Sequence, residues 1–184
     1  MLQVLLCMSI EDVLSFWFAN KTRWWKKDPA FDDQIRKRFA PLLSSIANKE
    51  HEEWKATPRG TLAYVIVLDQ FSRNMFRDTP GMFSNDEQAL ETAKEAIDKG
   101  FDQQLSHEER GFLYMPLMHS EVLTDQERCV QLFDTLGNAD SLDYAIRHRD
   151  IIKRFGRFPH RNGMLGRSST AEEVEFLKQP GSSF

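Results

Sequence analysis

Apolar residues along this chain recur at intervals of three and four positions, which places them on one side of an α-helix. Four candidate N-cap residues are each followed three positions later by an acid, the capping-box pattern: Ser9, Ser106, Thr124 and Thr170. The other predicted boundaries are starts at Asp28, Ser84 and Asp140 and ends at Gly100 and Gly137. The pattern predicts about eight antiparallel helices joined by short loops, with little room for strands.

These helices define an all-α fold class, and the helix pair that starts near Ala89 is similar in texture to a tetratricopeptide hairpin. The chain shows no self-similarity at the period of that repeat, so we predict a degenerate, tetratricopeptide-like helical-hairpin array. A chain of 184 residues can bury one sizeable core. We therefore expect a single helical domain over residues 9–184, preceded by a disordered extension over residues 1–8.

Composition narrows the classes of partner. The chain carries 28 acidic and 24 basic residues, a net charge of −4, which argues against general affinity for nucleic acid. Its two cysteines, Cys7 and Cys129, form no CxxC pair, so we predict neither a disulfide framework nor a zinc knuckle. No apolar run is long enough to span a bilayer. We expect a cytoplasmic protein without a membrane partner. A homodimer is the oligomeric state that we consider.

Polar residues interrupt the apolar side of two predicted helices. Asp69 and Arg73 lie four positions apart where core residues belong, and Asn74 extends this polar set toward solvent. A buried carboxylate needs a partner, and Arg73 is one helical turn away. His119 interrupts another apolar stripe, with Glu121 close to it in the chain. The pattern fits a salt bridge that fixes helix packing, and it also fits a catalytic group.

The densest chemistry lies where a helix must stop, in the sequence FGRFPHRN at residues 155–162. Its polar side chains are two guanidiniums, an imidazole and an amide: Arg157, Arg161, His160 and Asn162. Residues 147–167 contain seven Lys or Arg and a single acid, although the chain as a whole is negative. A concentrated positive field between aromatic rings suits an anion such as a phosphate, a carboxylate or an acidic peptide.

A divalent metal site is a less favoured interpretation of the same residues. His119, His148 and His160 can face inward, and with Asp69 or Glu121 they offer imidazole and carboxylate ligands. The sequence contains no HExxH motif, no P-loop and no GxGxxG fingerprint. We therefore predict no metal and no cofactor.

Seven stretches of the sequence carry a family resemblance: FWF at 16–18, WW at 24–25, LDQFSRN at 68–74, FLYMPLMHSE at 112–121, DQER at 125–128, FGRFPHRN at 155–162 and PGSSF at 180–184. With these motifs the chain resembles a bacterial family of unknown function that has a tetratricopeptide-like helical fold. The resemblance covers nearly everything after residue 8. It implies the fold, but it brings no activity and no catalytic residues with it.

The matching stretches are unusually polar for core segments, and each buried polar group must find a partner. We hypothesise that their polar side chains converge on one pocket between helices. The ligand-binding candidates are Asp69, Arg73, Asn74, Arg157, Arg161 and Asn162. The candidates for proton transfer are His119, Glu121 and His160.

Three functions are compatible with such a pocket. The first is a helical module that binds an anionic small molecule or peptide. The second is a hydrolase or lyase, metal-assisted or not, that uses imidazole and carboxylate acid–base chemistry. The third is a structural protein-interaction module in which the polar network only locks helix packing. The residues favour binding, and they leave open whether the protein is an enzyme.

Overall fold

Residues 8–183 are the part of the chain that this computed structural model describes, and they contain helices and no strand. The helices are α1 (Ile10–Ala19), α2 (Pro29–Ala47), α3 (Pro58–Ile66), α4 (Ser72–Met75), α5 (Asp86–Asp98), α6 (His107–His119), α7 (Leu123–Leu136), α8 (Ala139–Phe155) and α9 (Ala171–Phe176). A π-helical segment, Val67–Phe71, joins α3 to α4 without interruption. With these three counted as one, residues 8–183 form eight helices, which confirms the predicted all-α class.

Local capping signals locate several helix ends. The Ser9, Ser106 and Thr170 capping boxes are confirmed, because each hydroxyl accepts the N3 amide while the N3 acid accepts the N-cap amide. Asp28 also caps its helix, through a hydrogen bond from the Phe31 amide. Gly137 ends α7 with a positive φ of 75°, a conformation that glycine adopts without strain.

Three predicted helix starts are wrong by one to two residues. The helix predicted to start at Thr124 begins at Leu123, with Val122 as an N-cap that has no side-chain acceptor. Asn85 replaces Ser84 as the N-cap of α5. Asn138 replaces Asp140 as the N-cap of α8, and its side chain accepts the Ser141 amide. At α5 and α8 two neighbouring polar residues can each occupy the N-cap, and at α7 an apolar residue occupies it, so the sequence alone does not determine these boundaries.

The core surrounds α3 and the π-helical segment. All residues from 60 to 72 are buried, so this helix is enclosed on every side, as expected for a helix in the centre of a domain. It packs against α1, α2, α5 and α6. An aromatic cluster fills the space between α1 and its neighbours, with the ring of Trp17 packed edge-on against Phe71 and Phe112. Polar residues on this helix are therefore buried as well.

The C-terminal half is built by consecutive packing: α5 contacts α6, α6 contacts α7, and α7 contacts α8. Met8, the last residue of the predicted extension, is partly buried against the core. The other seven residues of that extension, and residue 184, lie outside the described part of the chain. Within residues 8–183, no helix combines the length and the apolar character needed to cross a membrane.

Candidate functional site

The π-helical segment carries Asp69 into the protein core. Such one-turn π segments are rare and often occur at functional sites. The Asp69 carboxylate is 1% exposed, and Gln70 Nε2 donates to its Oδ2 at 2.6 Å. Burial raises the pKa of Asp69, but the charges of Arg73 and His119 and the hydrogen bonds from His119 and Gln70 together outweigh burial, so the pKa of Asp69 is lowered. Asp69 is therefore an ionised carboxylate at the centre of the candidate site.

Arg73 is held by two carboxylates. Its Nη1 lies 2.9 Å from Asp69 Oδ1, which confirms the predicted pairing at four residues' separation. A second acid, Asp86 in the first turn of α5, accepts from Nη1 and Nη2 at 2.8 and 3.1 Å. Nη1 also donates to the main-chain oxygen of Asp69 at 3.0 Å. This fork-shaped pairing gives the buried guanidinium both charge balance and well-directed acceptors.

His119, the last residue of α6, contacts the same carboxylate. Its Nδ1 lies 2.7 Å from Asp69 Oδ1. An ionised carboxylate only accepts hydrogen bonds, so Nδ1 carries the proton and Nε2 keeps its lone pair when the ring is neutral. Burial first, and Arg73 second, lower the pKa of His119, and Asp69 offsets this effect in part. The side chain keeps 17% of its surface exposed.

Arg161, in the segment between α8 and α9, joins Asp69, Arg73, Asp86 and His119, and we call these five residues the core cluster. Arg161 is 7% exposed. Its Nη2 donates to the main-chain oxygen of His119 at 3.0 Å, and its Nη1 lies 3.4 Å from Asp86 Oδ2. The guanidinium carbon sits 4.7 and 4.5 Å from the ring centroids of Phe83 and Phe158. Arg161 Nε is buried and has no hydrogen-bond acceptor among residues 8–183. Burial, with Arg73 nearby, lowers the pKa of Arg161 to about 10.

We refer to residues 156–170, which carry Arg161, as the C-terminal strap. Glu121 holds the strap in place, because its carboxylate accepts the Phe158 amide at 2.7 Å and binds both terminal nitrogens of Arg167 at 2.7 and 3.0 Å. Arg167 in turn donates to the Phe158 main-chain oxygen at 3.2 Å. These contacts position Arg161 within the core cluster and the Phe158 ring beside it.

The structure brings four of the nine candidate residues into direct contact or shared pairing: Asp69, Arg73, His119 and Arg161. His160 lies beside this set, and burial is the main cause that lowers its pKa to about 4. The charged or titratable groups that also act on His160 are Arg161, Glu121, Arg167 and His119. Glu121 binds Arg167 instead of the cluster.

The other three candidates have partners elsewhere. Arg157 binds the Glu173 carboxylate at 2.6 and 2.8 Å. Asn74 donates to Asp32, which also binds Arg77. Asn162 donates to Ser169 Oγ at 3.1 Å, whereas its buried Oδ1 has no donor among residues 8–183.

The basic stretch 147–167 is largely neutralised by carboxylates, five of which lie outside the stretch. Six of its seven basic residues pair with carboxylates: Arg147 with Asp143, Arg149 with Asp150, Arg154 with Glu172, Arg157 with Glu173, Arg161 with Asp86 and Arg167 with Glu121. The Arg161–Asp86 pair is the longest of the six, at 3.4 Å. The stretch therefore does not act as one positive field, and Arg161 is the least completely paired of its six arginines.

Two residues of the site, Asp86 and Phe83, were not among the candidates predicted from the sequence. Asp86 reads as a helix-start acid, a role that its position in the first turn of α5 also fits. Phe83 lies in a short 3₁₀ turn, Pro80–Phe83, with no distinguishing pattern around it. The one signal available was that two arginines, Arg73 and Arg161, require more than one buried carboxylate.

The described residues offer no ready metal centre. No group of three or more His, Cys, Asp or Glu within residues 8–183 is arranged to hold a metal ion. His148 directs Nδ1 to the Tyr144 main-chain oxygen at 2.7 Å, and burial lowers its pKa to about 3.

A cleft of about 310 Å³ lies apart from the cluster, and its polar lining includes Arg59, Glu108 and Glu109. Arg59 already binds Glu11 and Glu109 there, at 2.9 and 2.7 Å. Lys21 Nζ forms a salt bridge with the Glu108 carboxylate at 2.5 Å. Because these charges satisfy one another, we place the candidate site at the Asp69–Arg161 cluster, where a buried donor lacks an acceptor.

Comparison with known proteins assigns the chain to a family. Residues 13–181 match the family described as bacterial protein of unknown function (DUF924), and the chain belongs to this family. The chain is similar to a solved structure, a protein of unknown function, ATU0120, from Agrobacterium tumefaciens. The two share 40% sequence identity over 92% of this chain and 96% of that one, with a TM-score of 0.88. No match to a curated protein was found.

Proposed function

We propose that the protein binds a small anionic molecule or an acidic peptide group, and that the ligand's carboxylate or phosphate pairs with Arg161. The observation that carries this proposal is the incomplete pairing of a buried guanidinium. Arg161 is nine-tenths buried, yet its Nε has no acceptor among residues 8–183 and its carboxylate partner is 3.4 Å away.

The neighbouring Arg73 shows what complete pairing looks like in this core. Asp86 binds both of its terminal nitrogens and Asp69 adds a second negative charge. Asp86 is shared, so the same carboxylate serves Arg161 only through a long contact. A buried charge whose counter-ion is shared and distant is costly, and an anionic ligand would supply the missing acceptor and a negative charge at closer range than Asp86.

The surroundings of Arg161 also suit an anion. The Phe83 and Phe158 rings contact its guanidinium, leaving the edge of the planar fork to bind oxygen atoms. His119 is the next group to consider, because Arg161 Nη2 donates to its main-chain oxygen and because Asp86, the acid that Arg161 contacts, also acts on the His119 ring. We infer that the ligand group binds at the guanidinium with this imidazole as a neighbour.

Calorimetric titration and thermal denaturation with inorganic phosphate, sulfate, acetate and citrate test the proposal. We expect at least one anion to bind the wild type and to raise its temperature of unfolding. At an anion concentration a hundredfold above Kd, the free energy of unfolding should rise by about 2.7 kcal/mol. Arg161→Gln should abolish the effect. Arg157→Gln is the matched control, because Arg157 is paired with Glu173 and should bind the anion as the wild type does. Equal loss in both variants, or no binding by the wild type, would refute the proposal.

Acid–base catalysis is a second candidate function, and the Asp69–His119 pair favours it. A carboxylate that fixes an imidazole through Nδ1 leaves Nε2 as a base, an arrangement that enzymes use for proton transfer. A hydrolase or lyase of this kind would act on the anion that Arg161 holds. Activity screening with phosphate esters and carboxylate esters, compared between wild type and His119→Asn, tests it.

We also propose a tetratricopeptide-like helix arrangement and a cytoplasmic location. A tetratricopeptide-like arrangement is supported by the consecutive packing of α5, α6, α7 and α8, and such arrays bind ligands between helices. A cytoplasmic location is supported by the free, buried thiol of Cys129.

A further inference from the structure

We propose that an anion bound at Arg161 enters together with a proton, which His119 takes up on Nε2, so that His119 becomes the second ligand-binding residue. This inference rests on the proposed function. It adds a linkage between ligand binding and protonation that anion binding by itself does not require.

The position of the His119 ring is the first support. Its side chain makes a single hydrogen bond within residues 8–183, through Nδ1 to Asp69 at 2.7 Å. The ring keeps 17% of its surface exposed, whereas Asp69 is almost fully enclosed. Arg161 Nη2 lies against the main-chain oxygen of the same histidine at 3.0 Å, and Asp86, the acid that Arg161 contacts, also acts on the His119 ring. An anion at Arg161 therefore joins the same set of charges as an imidazole that Asp69 orients but that remains partly exposed.

The hydrogen-bonding capacity of that ring is the second support. Asp69 accepts the Nδ1 proton, so the neutral ring presents the Nε2 lone pair on its opposite side. A lone pair repels the oxygen atoms of an anion. Protonation converts Nε2 into a charged donor while Nδ1 keeps its bond to Asp69, and charge-assisted hydrogen bonds of this kind are the stronger ones.

The charge balance around the ring is the third support. The charged and titratable groups of the elements around the ring are Asp69, Arg73, Asp86, His148, His160 and Arg161. Glu121 and Arg167 lie one step further out, where they act on His160. Glu121 and Arg167 neutralise each other. Two carboxylates and two guanidiniums remain, so the set is neutral before the ligand binds.

An added anion leaves this set with a negative charge that one imidazolium would neutralise. In the ligand-free protein, burial and Arg73 keep the His119 ring neutral by lowering its pKa. A nearby anion acts in the opposite direction, because an opposite charge within a few ångströms favours the protonated form. His119 is the imidazole in contact with Asp69, which stabilises its cationic form.

Titration calorimetry with acetate and with sulfate tests the inference, because neither anion exchanges protons with the solvent at pH 7. Titrations in buffers of different ionisation enthalpy give the number of protons taken up. We expect about one proton per acetate bound to the wild type, and an affinity that rises up to about tenfold per pH unit as the pH is lowered. His119→Asn keeps a donor toward Asp69 but cannot titrate, so it should bind with no proton uptake and a flat pH dependence.

Each outcome decides a different statement. Binding by the wild type without proton uptake overturns this inference and leaves the proposed function standing. No binding of either anion by the wild type overturns both. Uptake that persists in His119→Asn overturns the assignment to His119. Nitrogen NMR of the His119 ring in the wild type gives an independent readout: Nε2 should shift from the unprotonated to the protonated position on saturation with acetate, and an unchanged ring refutes the inference.

Discussion

Two regions of this protein use the same residue types with different completeness. In the core cluster, Asp69, Arg73, Asp86, His119 and Arg161 lie around a π-helical segment, and one guanidinium is left with a buried donor that has no acceptor among residues 8–183. At the base of α9, Arg157 and Glu173 form a bidentate pair. Arg154 likewise binds Glu172 at 2.8 Å.

The difference shows which property of a charged cluster indicates a ligand site. The sequence predicted that the excess of basic residues over 147–167 would mark the site, but most of that excess is cancelled by acids from elsewhere. Paired charges at the base of α9 hold the chain together and require nothing more. The incomplete pairing of Arg161, in contrast, can be completed by an anion.

The largest expected effect is the loss of the Asp69 charge. Asp69→Asn keeps the side-chain shape but removes the negative charge that compensates Arg73 and His119. We expect the free energy of unfolding to fall by about 3–5 kcal/mol, the usual cost of breaking a buried ion pair. Urea denaturation measures it. A loss below about 1 kcal/mol would mean that the core cluster is no more demanding than the pairs at the base of α9.

Acid should destabilise the protein through the buried imidazoles that surround the core cluster. His148 is neutral in the fold, where burial lowers its pKa to about 3, and it becomes protonated near its ordinary value of 6.5 once unfolded. Its contribution to stability is therefore full above pH 6.5 and is lost progressively as the pH falls toward the folded-state pKa. The free energy of unfolding should drop by up to about 3 kcal/mol between pH 7 and pH 4.

The variant His148→Asn isolates this contribution, because asparagine can still donate to the Tyr144 main-chain oxygen but does not titrate. Its stability should depend less on pH than that of the wild type in thermal denaturation series from pH 4 to pH 8. His107→Asn, at an exposed position, is the matched control and should retain the wild-type dependence. An identical pH profile in His148→Asn would contradict the prediction.

The two arginines that share Asp86 should respond differently to the same substitution. Arg73→Met removes a fully paired guanidinium and leaves Asp69 and Asp86 short of compensation. Arg161→Met removes a guanidinium that is already poorly paired, so it should cost about 2 kcal/mol less. Chemical denaturation of the two variants side by side gives the difference. Equal losses would show that Arg161 is as well compensated as Arg73 in the ligand-free protein.

The smallest expected effect lies at the base of α9. The hydrogen bond from Arg157 is the main cause that lowers the pKa of Glu173 to about 2. The substitution Glu173→Gln weakens this hydrogen bond. The Arg157 side chain is 28% exposed although Glu173 is buried, so water replaces part of the lost interaction. We expect a loss of about 1 kcal/mol, measured by urea denaturation. A loss as large as that of Asp69→Asn would remove the contrast between the two regions.

Part of the candidate site follows from sequence reasoning. Asp69 and Arg73 are visible as polar residues four positions apart on an apolar stripe, and their ion pair is local to one helical turn. His119 is visible in the same way on α6. Its bond to Asp69 is not, since it joins residues 50 positions apart. The π-helical segment also leaves no readable signal, because its five residues look like ordinary helix.

The sequence by itself determined that this is a helical protein, where four of its helices begin (α1, α2, α6 and α9), and which polar residues lie on otherwise apolar faces. These properties depend on interactions within three to four residues, such as the hydroxyl of Ser106 with the amide of Glu109. Only the tertiary structure decided which charges neutralise one another. Asp86 lies 75 residues from Arg161 and Glu121 lies 46 from Arg167, so helix packing alone sets those distances. The strength of each ion pair depends on distance and burial, and neither can be read from the local pattern.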